Sequence, residues 1–305
     1  MTKNQQEPAE KPVSDRSAPR INAAVNAVVD LSADDLPSAH ALSKAVSWPH
    51  RQEDWRLLFA LGRGKAAFEG ETLIGTAMWW PFGDDFATLG MVIVAPDRQG
   101  AGIGGRLMRA VLDAAGPRSI ALNATASGQP LYEKLGFVAV GEIQQHQGRA
   151  VVSVAGDGAE TLRPMDEEDW NCVAALDRAA TGLDRRATLG ALRSLSEGVV
   201  LLRDRVPHES GVAGFSLVRD FGRGKVIGPV VAPDVDGAKA LIGYWLARYP
   251  GQFLRIDTRG DVGLGEWLAG SGLAPVASVV TMIRGKAPLR SGATRLFAVV
   301  SQALG

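Results

Sequence analysis

The first half of the chain alternates amphipathic segments with short apolar runs, a pattern that predicts an α/β protein. Apolar residues recur at helical spacing over 34–46 and 53–61, and Ser32 stands where the first helix needs an N-cap. Strand-like runs follow, separated by turn signals rich in glycine, proline and aspartate. The predicted elements are helices at 34–46, 53–61, 105–112 and 129–135, and strands at 65–68, 72–80, 88–94, 119–124 and from Phe137 onward.

A glycine-rich stretch, Gln99-Gly100-Ala101-Gly102-Ile103-Gly104, lies between an apolar strand and an amphipathic helix. A strand that enters a helix through glycines leaves several backbone N–H groups pointing at one spot, beside the positive end of the helix dipole. Glycines also keep that spot free of side chains. The stretch therefore predicts a phosphate-binding loop. The alternative is that the glycines serve only a tight turn.

The second half repeats the first in weak but ordered matches. Val94-Ala95-Pro96-Asp97 recurs as Val231-Ala232-Pro233-Asp234, an offset of 137 residues, and Gly100 falls on Gly237 at the same offset. Matches in the same order predict a duplicated α/β unit. Two loop glycines are replaced in the second copy, Gly102 by Lys239 and Gly104 by Leu241. Because these side chains would stand where bare backbone is needed, the second copy is expected to have lost the phosphate site.

Composition narrows the class of protein. The 305 residues include 46% apolar and 22% charged residues, so the chain can build full cores. Lys and Arg number 33, as do Asp and Glu, which gives no overall field for nucleic acid or anionic lipid. A single cysteine, Cys172, argues against a disulfide framework and a cysteine-rich metal site. We expect no metal and no membrane span, a cytoplasmic location, and a disordered leader over 1–19.

Residues 100–105 also satisfy the pattern G-x-G-x-x-G, which raises a dinucleotide-dependent oxidoreductase as an alternative. That fold needs an acidic residue at the end of the next strand to hold the ribose hydroxyls. Here the strand ends in Leu122-Asn123-Ala124-Thr125, with no acid. The motif also comes late, after several predicted elements. A P-loop is excluded because no Gly-Lys-Ser/Thr follows the glycines.

Residues 94–104 resemble the Gln/Arg-x-x-Gly-x-Gly/Ala signature of GCN5-related N-acetyltransferases. Downstream, Pro130-Leu131-Tyr132-Glu133-Lys134-Leu135-Gly136-Phe137 is similar to the second hallmark of that family, a tyrosine helix leading into Leu-Gly-Phe. The resemblance implies two tandem domains, each with a central, mostly antiparallel sheet, a splayed parallel strand pair and flanking helices. The expected division is a catalytic domain at 20–150, a diverged second domain at 160–285 and a tail at 286–305. The apolar residues of that tail would dock on a domain or pair two copies as a homodimer.

The same resemblance implies an acyl-CoA cosubstrate, usually acetyl-CoA. Backbone N–H groups of the glycine loop would hold its pyrophosphate, and its pantetheine arm would lie along the preceding strand, where the N–H near Val92 would stabilise the oxyanion. Tyr132 would protonate the departing thiolate, although its ring could instead only pack in the core. The residues assigned to the cosubstrate are Met91, Val92, Ile93, Val94, Gln99, Gly100, Ala101, Gly102, Ile103, Gly104 and Asn123.

The acceptor side is less defined by sequence. The acceptor would be an amine, with a mild preference for a small apolar molecule because tryptophans cluster between residues 48 and 80. Trp79 and Trp80 must point to opposite faces of a strand, so at most one fills the same core and the other is a pocket candidate. No general base stands out among His50, Glu53, Asp54, Asp84 and Asp85. The acceptor-pocket candidates are Trp48, His50, Trp79, Trp80 and Asp84. A non-catalytic acyl-CoA-binding regulatory module is the alternative to an enzyme.

Overall fold

A computed structural model describes residues 27–151, 161–203, 211–260 and 262–305. The predicted leader at 1–19 lies outside these residues, as do residues 152–160 at the boundary between the two expected domains. None of the helices in the described part of the chain combines the length and apolar character needed to cross a bilayer.

The first half contains the predicted elements and a first strand that was not predicted. Four predicted elements are one to three residues longer than expected, the helix after the glycine loop is five residues longer, and the first and last helices are shorter. Strand β3 is buried almost without interruption, because helices cover both faces of the sheet. The elements are β1 (Ala27–Asp30), α1 (Leu36–Ala45), α2 (Gln52–Leu61), β2 (Arg63–Glu69), β3 (Thr72–Phe82), β4 (Phe86–Val94), α3 (Ile103–Ala115), β5 (Ser119–Ala124), α4 (Gln129–Lys134) and β6 (Val138–Arg149).

The second half repeats this order of strands and helices and then adds one strand, which confirms the duplication. Its elements are β7 (Thr161–Pro164), α5 (Trp170–Thr181), α6 (Arg186–Arg193), β8 (Ser196–Leu202), β9 (Val212–Phe221), β10 (Gly224–Ala232), α7 (Val235–Arg248), β11 (Phe253–Arg259), α8 (Gly265–Gly270), β12 (Ala274–Arg284) and β13 (Arg295–Ala298).

All the strands of the described chain join in one mixed sheet, and the two halves exchange a strand within it. The order is β1-β2-β3-β4-β5-β12-β6-β11-β13-β10-β9-β8-β7. Strand β12 of the second half pairs with β5, and β6 of the first half pairs with β11. The two exchanged strands also pair with each other in antiparallel register along most of their length. The boundary expected between residues 150 and 160 therefore separates the halves along the chain but not in space.

Because of this strand exchange, the hydrophobic cores contain residues of both halves. On one face of the first half, α3 covers a cluster that includes Leu107, Ile120 and Phe137, and the fully buried Met282 of β12 completes it. On the other face, α1, α2, α5 and α6 contribute to one continuous cluster. Apolar side chains of both halves thus share the same buried volume, which links their stabilities.

The segment expected to be a tail at 286–305 is part of the sheet. Its strand β13 lies between β10 and β11, and Phe297 and Ala298 are fully buried in the core of the second half. The apolar residues of this segment therefore pack in the second half, and its strand completes the sheet.

Replacing Met282 with Ala should lower the stability of the whole chain by about 2–5 kcal/mol, because it leaves a cavity in a shared core. Val276→Ala on the same strand is the matched control: Val276 is 49% exposed, and its loss should cost less than about 0.5 kcal/mol. Scanning calorimetry should show a single transition that shifts as a unit in Met282→Ala. Two transitions, of which only one moves, would contradict the strand exchange as a cooperative link.

Candidate functional site

Strands β4 and β5 run parallel and then separate, which opens a slot in the sheet. Their pairing extends from Phe86–Ser119 to Leu89–Leu122, whereas β4 remains paired with β3 as far as Val94. The separation begins beside Met91, which has a left-handed φ of 51°. The register of β3 and β4 shifts here, and the Thr76 hydroxyl donates to the Met91 carbonyl at 2.9 Å. The bulge bends β4 away from β5.

The glycine loop follows directly from this strand. Gly100 and Gly102 have φ values of 80° and 76°, and a Cβ at either position would meet nothing within 4 Å. Gly102 is the N-cap of α3, and no side chain caps the helix there. The first N–H groups of α3 therefore face open space rather than a side-chain acceptor, the arrangement that suits an anion. The free backbone and positive φ agree with a phosphate-binding loop.

A cavity of about 340 Å³ lies where the strands separate. Its walls come from both halves: the loop between α1 and α2, strands β4, β5 and β6, and helix α4 on one side, and the β9–β10 turn, strands β11 and β12 and residues 301–303 on the other. Met91 and Val92 line it, whereas the glycine loop lies farther along the same strand direction. The glycine loop, the slot between β4 and β5 and the cavity thus follow one another along β4. This arrangement suits a long, thin ligand.

Tyr132 lies on α4 with its side chain at the cavity and its ring 6.1 Å from that of Phe137. Burial raises the pKa of the phenol to about 12, so the side chain keeps its proton at neutral pH. The ring packs in the core while the residue contributes to the cavity wall, and the role of the phenol as a general acid stays a prediction.

Asn123 lies near the end of β5 and lines the cavity. Both the nitrogen and the oxygen of its side-chain amide are hydrogen-bonded within the chain. Its Nδ2 donates to the carbonyl of Gln302 at 2.8 Å, and its Oδ1 accepts from the Thr281 hydroxyl at 2.8 Å. Both partners come from the second half. This anchoring makes Asn123 a support for residues 301–303, and its role toward a cosubstrate stays a prediction.

His50 and Trp48 lie in the loop between α1 and α2 and line the cavity as expected. The His50 ring is 5.7 Å from Trp48 and 5.4 Å, edge on, from Phe221 of the second half. Burial lowers the pKa of His50 to about 4, so the imidazole is neutral at physiological pH. Its Nδ1 is buried and makes no hydrogen bond to the described residues. An unsatisfied buried nitrogen beside a cavity is suited to a ligand.

The structure corrects the other aromatic candidates. Trp79 is buried on the α3 face of the sheet, within 5.7 Å of Arg63 and 5.6 Å of Arg118. Trp80 is buried on the opposite face, and its indole N–H donates to the Leu58 carbonyl at 2.8 Å. Neither tryptophan lines the cavity. Helices cover each face of β3, so each tryptophan packs in the core on its own face.

The acidic candidates also lie elsewhere. Asp84 is fully exposed in the β3–β4 turn and pairs with Arg118 at 3.2 Å, away from the cavity. Glu53 is exposed and pairs with Arg56. Asp54 is buried, but its carboxylate accepts from the Arg51 backbone N–H at 2.8 Å at the start of α2. These are surface and helix-capping roles.

Several cavity residues come from the second half and were not predicted. Phe221 and Arg223 stand at the β9–β10 turn, and Arg255 on β11. Arg51 holds the turn against α2 by donating to the Asp220 carbonyl at 2.7 Å. The sequence signal that could have found these residues is the repeat itself, because it implies a second sheet able to pack beside the first.

The corresponding slot of the second half is filled. Strands β10 and β11 pair in parallel from Lys225–Leu254 to Ile227–Ile256 and then separate, but β13 enters and pairs with both. The N-terminus of α7 is capped by Asp234, which accepts from the Gly237 N–H at 2.9 Å. A strand of the chain and a carboxylate thus occupy the gap and the helix N-terminus that stay open in the first half.

Comparisons with known proteins agree with this architecture. Models of the GNAT acetyltransferase domain match the chain twice, at residues 63–139 and 173–298. The uncharacterized N-acetyltransferase YitH of Bacillus subtilis (strain 168) is 28% identical over 287 residues, which cover 92% of this chain and 99% of that protein.

Solved structures show the same fold over most of the chain. A candidate acetyltransferase from Pyrococcus horikoshii matches with a TM-score of 0.74 at 20% identity, over 93% of this chain and 98% of its own. A tandem GNAT protein from the clavulanic acid biosynthesis pathway matches with a TM-score of 0.60 at 15% identity, over 86% of this chain and 99% of its own.

The chain belongs to the GNAT acetyltransferase family and is a tandem member of it. It is accordingly an acyltransferase, and the G-x-G-x-x-G match does not mark a dinucleotide oxidoreductase.

Proposed function

We propose that the first half transfers an acetyl group from acetyl-CoA to the amine of a small molecule, by direct attack in a ternary complex. The observation that carries the proposal is the series of uncapped glycine loop, open strand slot and Tyr132-bearing cavity in one half, against the filled slot in the other. Walls from both halves enclose the cavity, which supports a small acceptor over a protein surface.

The residues present fit acetyl-CoA. Backbone N–H groups of residues 99–104 would hold the pyrophosphate at the start of α3, where Gly100 and Gly102 leave room for it. The pantetheine arm would pair with β4 over residues 91–94, on the edge that β5 leaves. The cosubstrate supplies the thioester that is broken in the reaction.

The chemistry then needs two things from the chain. The backbone N–H of Val92, next to the bulge at Met91, would stabilise the oxyanion as the amine nitrogen attacks the thioester carbon. As the C–S bond breaks, Tyr132 would donate its proton to the thiolate. Cys172 does not line the cavity, so the site presents no cysteine for a covalent intermediate.

The acceptor must also lose a proton. Of the predicted base candidates only His50 lines the cavity. With a pKa of about 4 it is a weak base, so its unpartnered Nδ1 would orient the amine by accepting a hydrogen bond. We infer that the amine reacts in its neutral form and passes its proton to water.

Tyr132→Phe should lower kcat by about 100-fold or more, because the ring still fills its place but no longer donates a proton. The measurement is CoA thiol release with a pool of amines. Tyr244→Phe, on α7 in the second half, is the control and should keep full activity. An unchanged kcat in Tyr132→Phe would contradict the general-acid role. Acetyl-CoA binding without any thiol release would instead favour a regulatory module.

Calorimetric titration should show one acetyl-CoA per chain, because the second slot is filled. Gly102→Val should weaken binding at least about tenfold, since the new side chain enters the space in front of the N–H groups. Gly83→Val, in the β3–β4 turn, is the control, with a φ of 70° and equally open surroundings. Equal losses of affinity in the two variants would show that backbone strain, and not the anion site, is responsible.

The pH dependence follows from the two buried groups. Tyr132, with a pKa of about 12, stays protonated and His50, with a pKa of about 4, stays neutral between pH 6 and 9. Acceptor kcat/KM should therefore rise with pH toward the pKa of the amine itself, about 10 for an alkylamine. An inflection between pH 6 and 7 that disappears in His50→Gln would show that His50 is a general base with an ordinary pKa.

A further inference from the structure

We propose that the acceptor amine carries an anionic group, with a carboxylate as the model case, and that Arg223 and Arg255 recognise it. This assignment rests on the proposed transferase function and names its substrate class. It places the reacting amine toward Tyr132 and His50, and the anionic group toward the wall built by the second half.

The charged side chains that line the cavity are all positive. No Asp or Glu is among the residues that line the cavity, and its charged side chains are Arg223 and Arg255. Polyamines and aminoglycosides carry several ammonium groups, and each ammonium taken from water needs an acceptor or a carboxylate partner. This wall offers them two cations instead. An anionic group would find complementary charge on the same wall.

Arg223 supplies the unpaired charge. It stands exposed at the tip of the β9–β10 turn and makes no ion pair with the residues that the structure describes. The turn is held in place because Gly222, with a φ of 55°, packs against Pro49: a Cβ there would lie 3.1 Å from the Pro49 carbonyl oxygen. Arg223 is thus presented at the rim by a turn that contacts the first half.

Arg255 supplies an oriented donor deeper in the wall. Its Nε and Nη2 donate to the buried carboxylate of Asp257, at 3.0 and 2.8 Å. Its Nη1 makes no hydrogen bond within the described chain, and the guanidinium lies 5.2 Å from the ring of Phe221. The pair with Asp257 balances its charge and holds its plane, which leaves one edge of a guanidinium for a planar anion.

The apolar wall suits the rest of such a molecule. The Phe221 ring lies 5.4 Å from the His50 ring and 5.2 Å from the Arg255 guanidinium, and the Trp48 ring lies 5.7 Å from His50. An amine with a short hydrocarbon body and a carboxylate at its far end matches this order of groups.

The test compares matched amines by CoA thiol release at equal concentrations of free amine. The pairs are 4-aminobutyrate with butylamine, 6-aminohexanoate with hexylamine, and phenylalanine with phenethylamine, with spermidine as the polycation. We expect kcat/KM to be about tenfold higher for the carboxylate in at least one pair, and spermidine to be the poorest substrate.

Variants then connect the preference to the wall. Arg223→Gln should remove most of the carboxylate advantage, and Arg223→Glu should reverse it in favour of the amine without a carboxylate and of spermidine. Arg56→Gln, an exposed arginine on α2 outside the cavity, should keep the wild-type ratio. The assignment is overturned if the alkylamines or spermidine are preferred, or if the ratio is the same in Arg223→Gln.

A binding measurement separates this assignment from the activity. The same amines are titrated into the enzyme saturated with CoA, where no turnover occurs. Tighter binding of the carboxylate partner, lost in Arg223→Gln, supports the assignment even if thiol release fails, in which case only the transferase function is contradicted. Equal binding of both partners overturns it.

Discussion

The structure depends on a reciprocal exchange of strands. Strand β12 completes the sheet of the first half, and β6 continues the sheet into the second half through β11. A strand edge left unpaired exposes a row of backbone donors and acceptors, so each half requires the other to satisfy its hydrogen bonds. The same exchange brings the β9–β10 turn and residues 301–303 to the cavity beside Tyr132. The candidate site therefore forms only when the two halves pair, and a change in that pairing would change the site.

Both halves contain a parallel strand pair that separates, but the gap between the strands is filled in one half and open in the other. A parallel pair that separates leaves backbone groups without a strand partner, and something must satisfy them. In the second copy β13 enters the gap, while Asp234 caps the following helix. In the first copy the gap and the glycine loop stay open, which leaves those groups for a ligand. Within the described residues, the first half thus has an open slot and the second half a filled one.

Burial sets the protonation states around the cavity. It keeps the phenol of Tyr132 protonated and the imidazole of His50 neutral, so both groups remain ready for hydrogen bonding across the physiological pH range. The charges that remain at the wall are arginines, one paired with Asp257 and one at the rim. Together with Trp48 and Phe221 they line a cavity that is nonionic at Tyr132 and His50 and cationic at the wall from the second half.

Local patterns were enough to predict the order of helices and strands, the glycine loop and the tyrosine helix, because each depends on residues close together in the chain. The duplication came from comparing the two halves of the sequence. Hydrophobic periodicity indicates which face of a helix or strand is buried, and glycine indicates a position that can adopt a left-handed φ. Neither signal depends on how the elements pack together. The strand exchange, the filled second slot and the contribution of Arg223 and Arg255 depend on contacts between residues a hundred or more positions apart. Trp79 and Asp84 show the same limit: their neighbours along the chain suggested a pocket, but the helix layers and the end of the sheet place one in a core and the other in water.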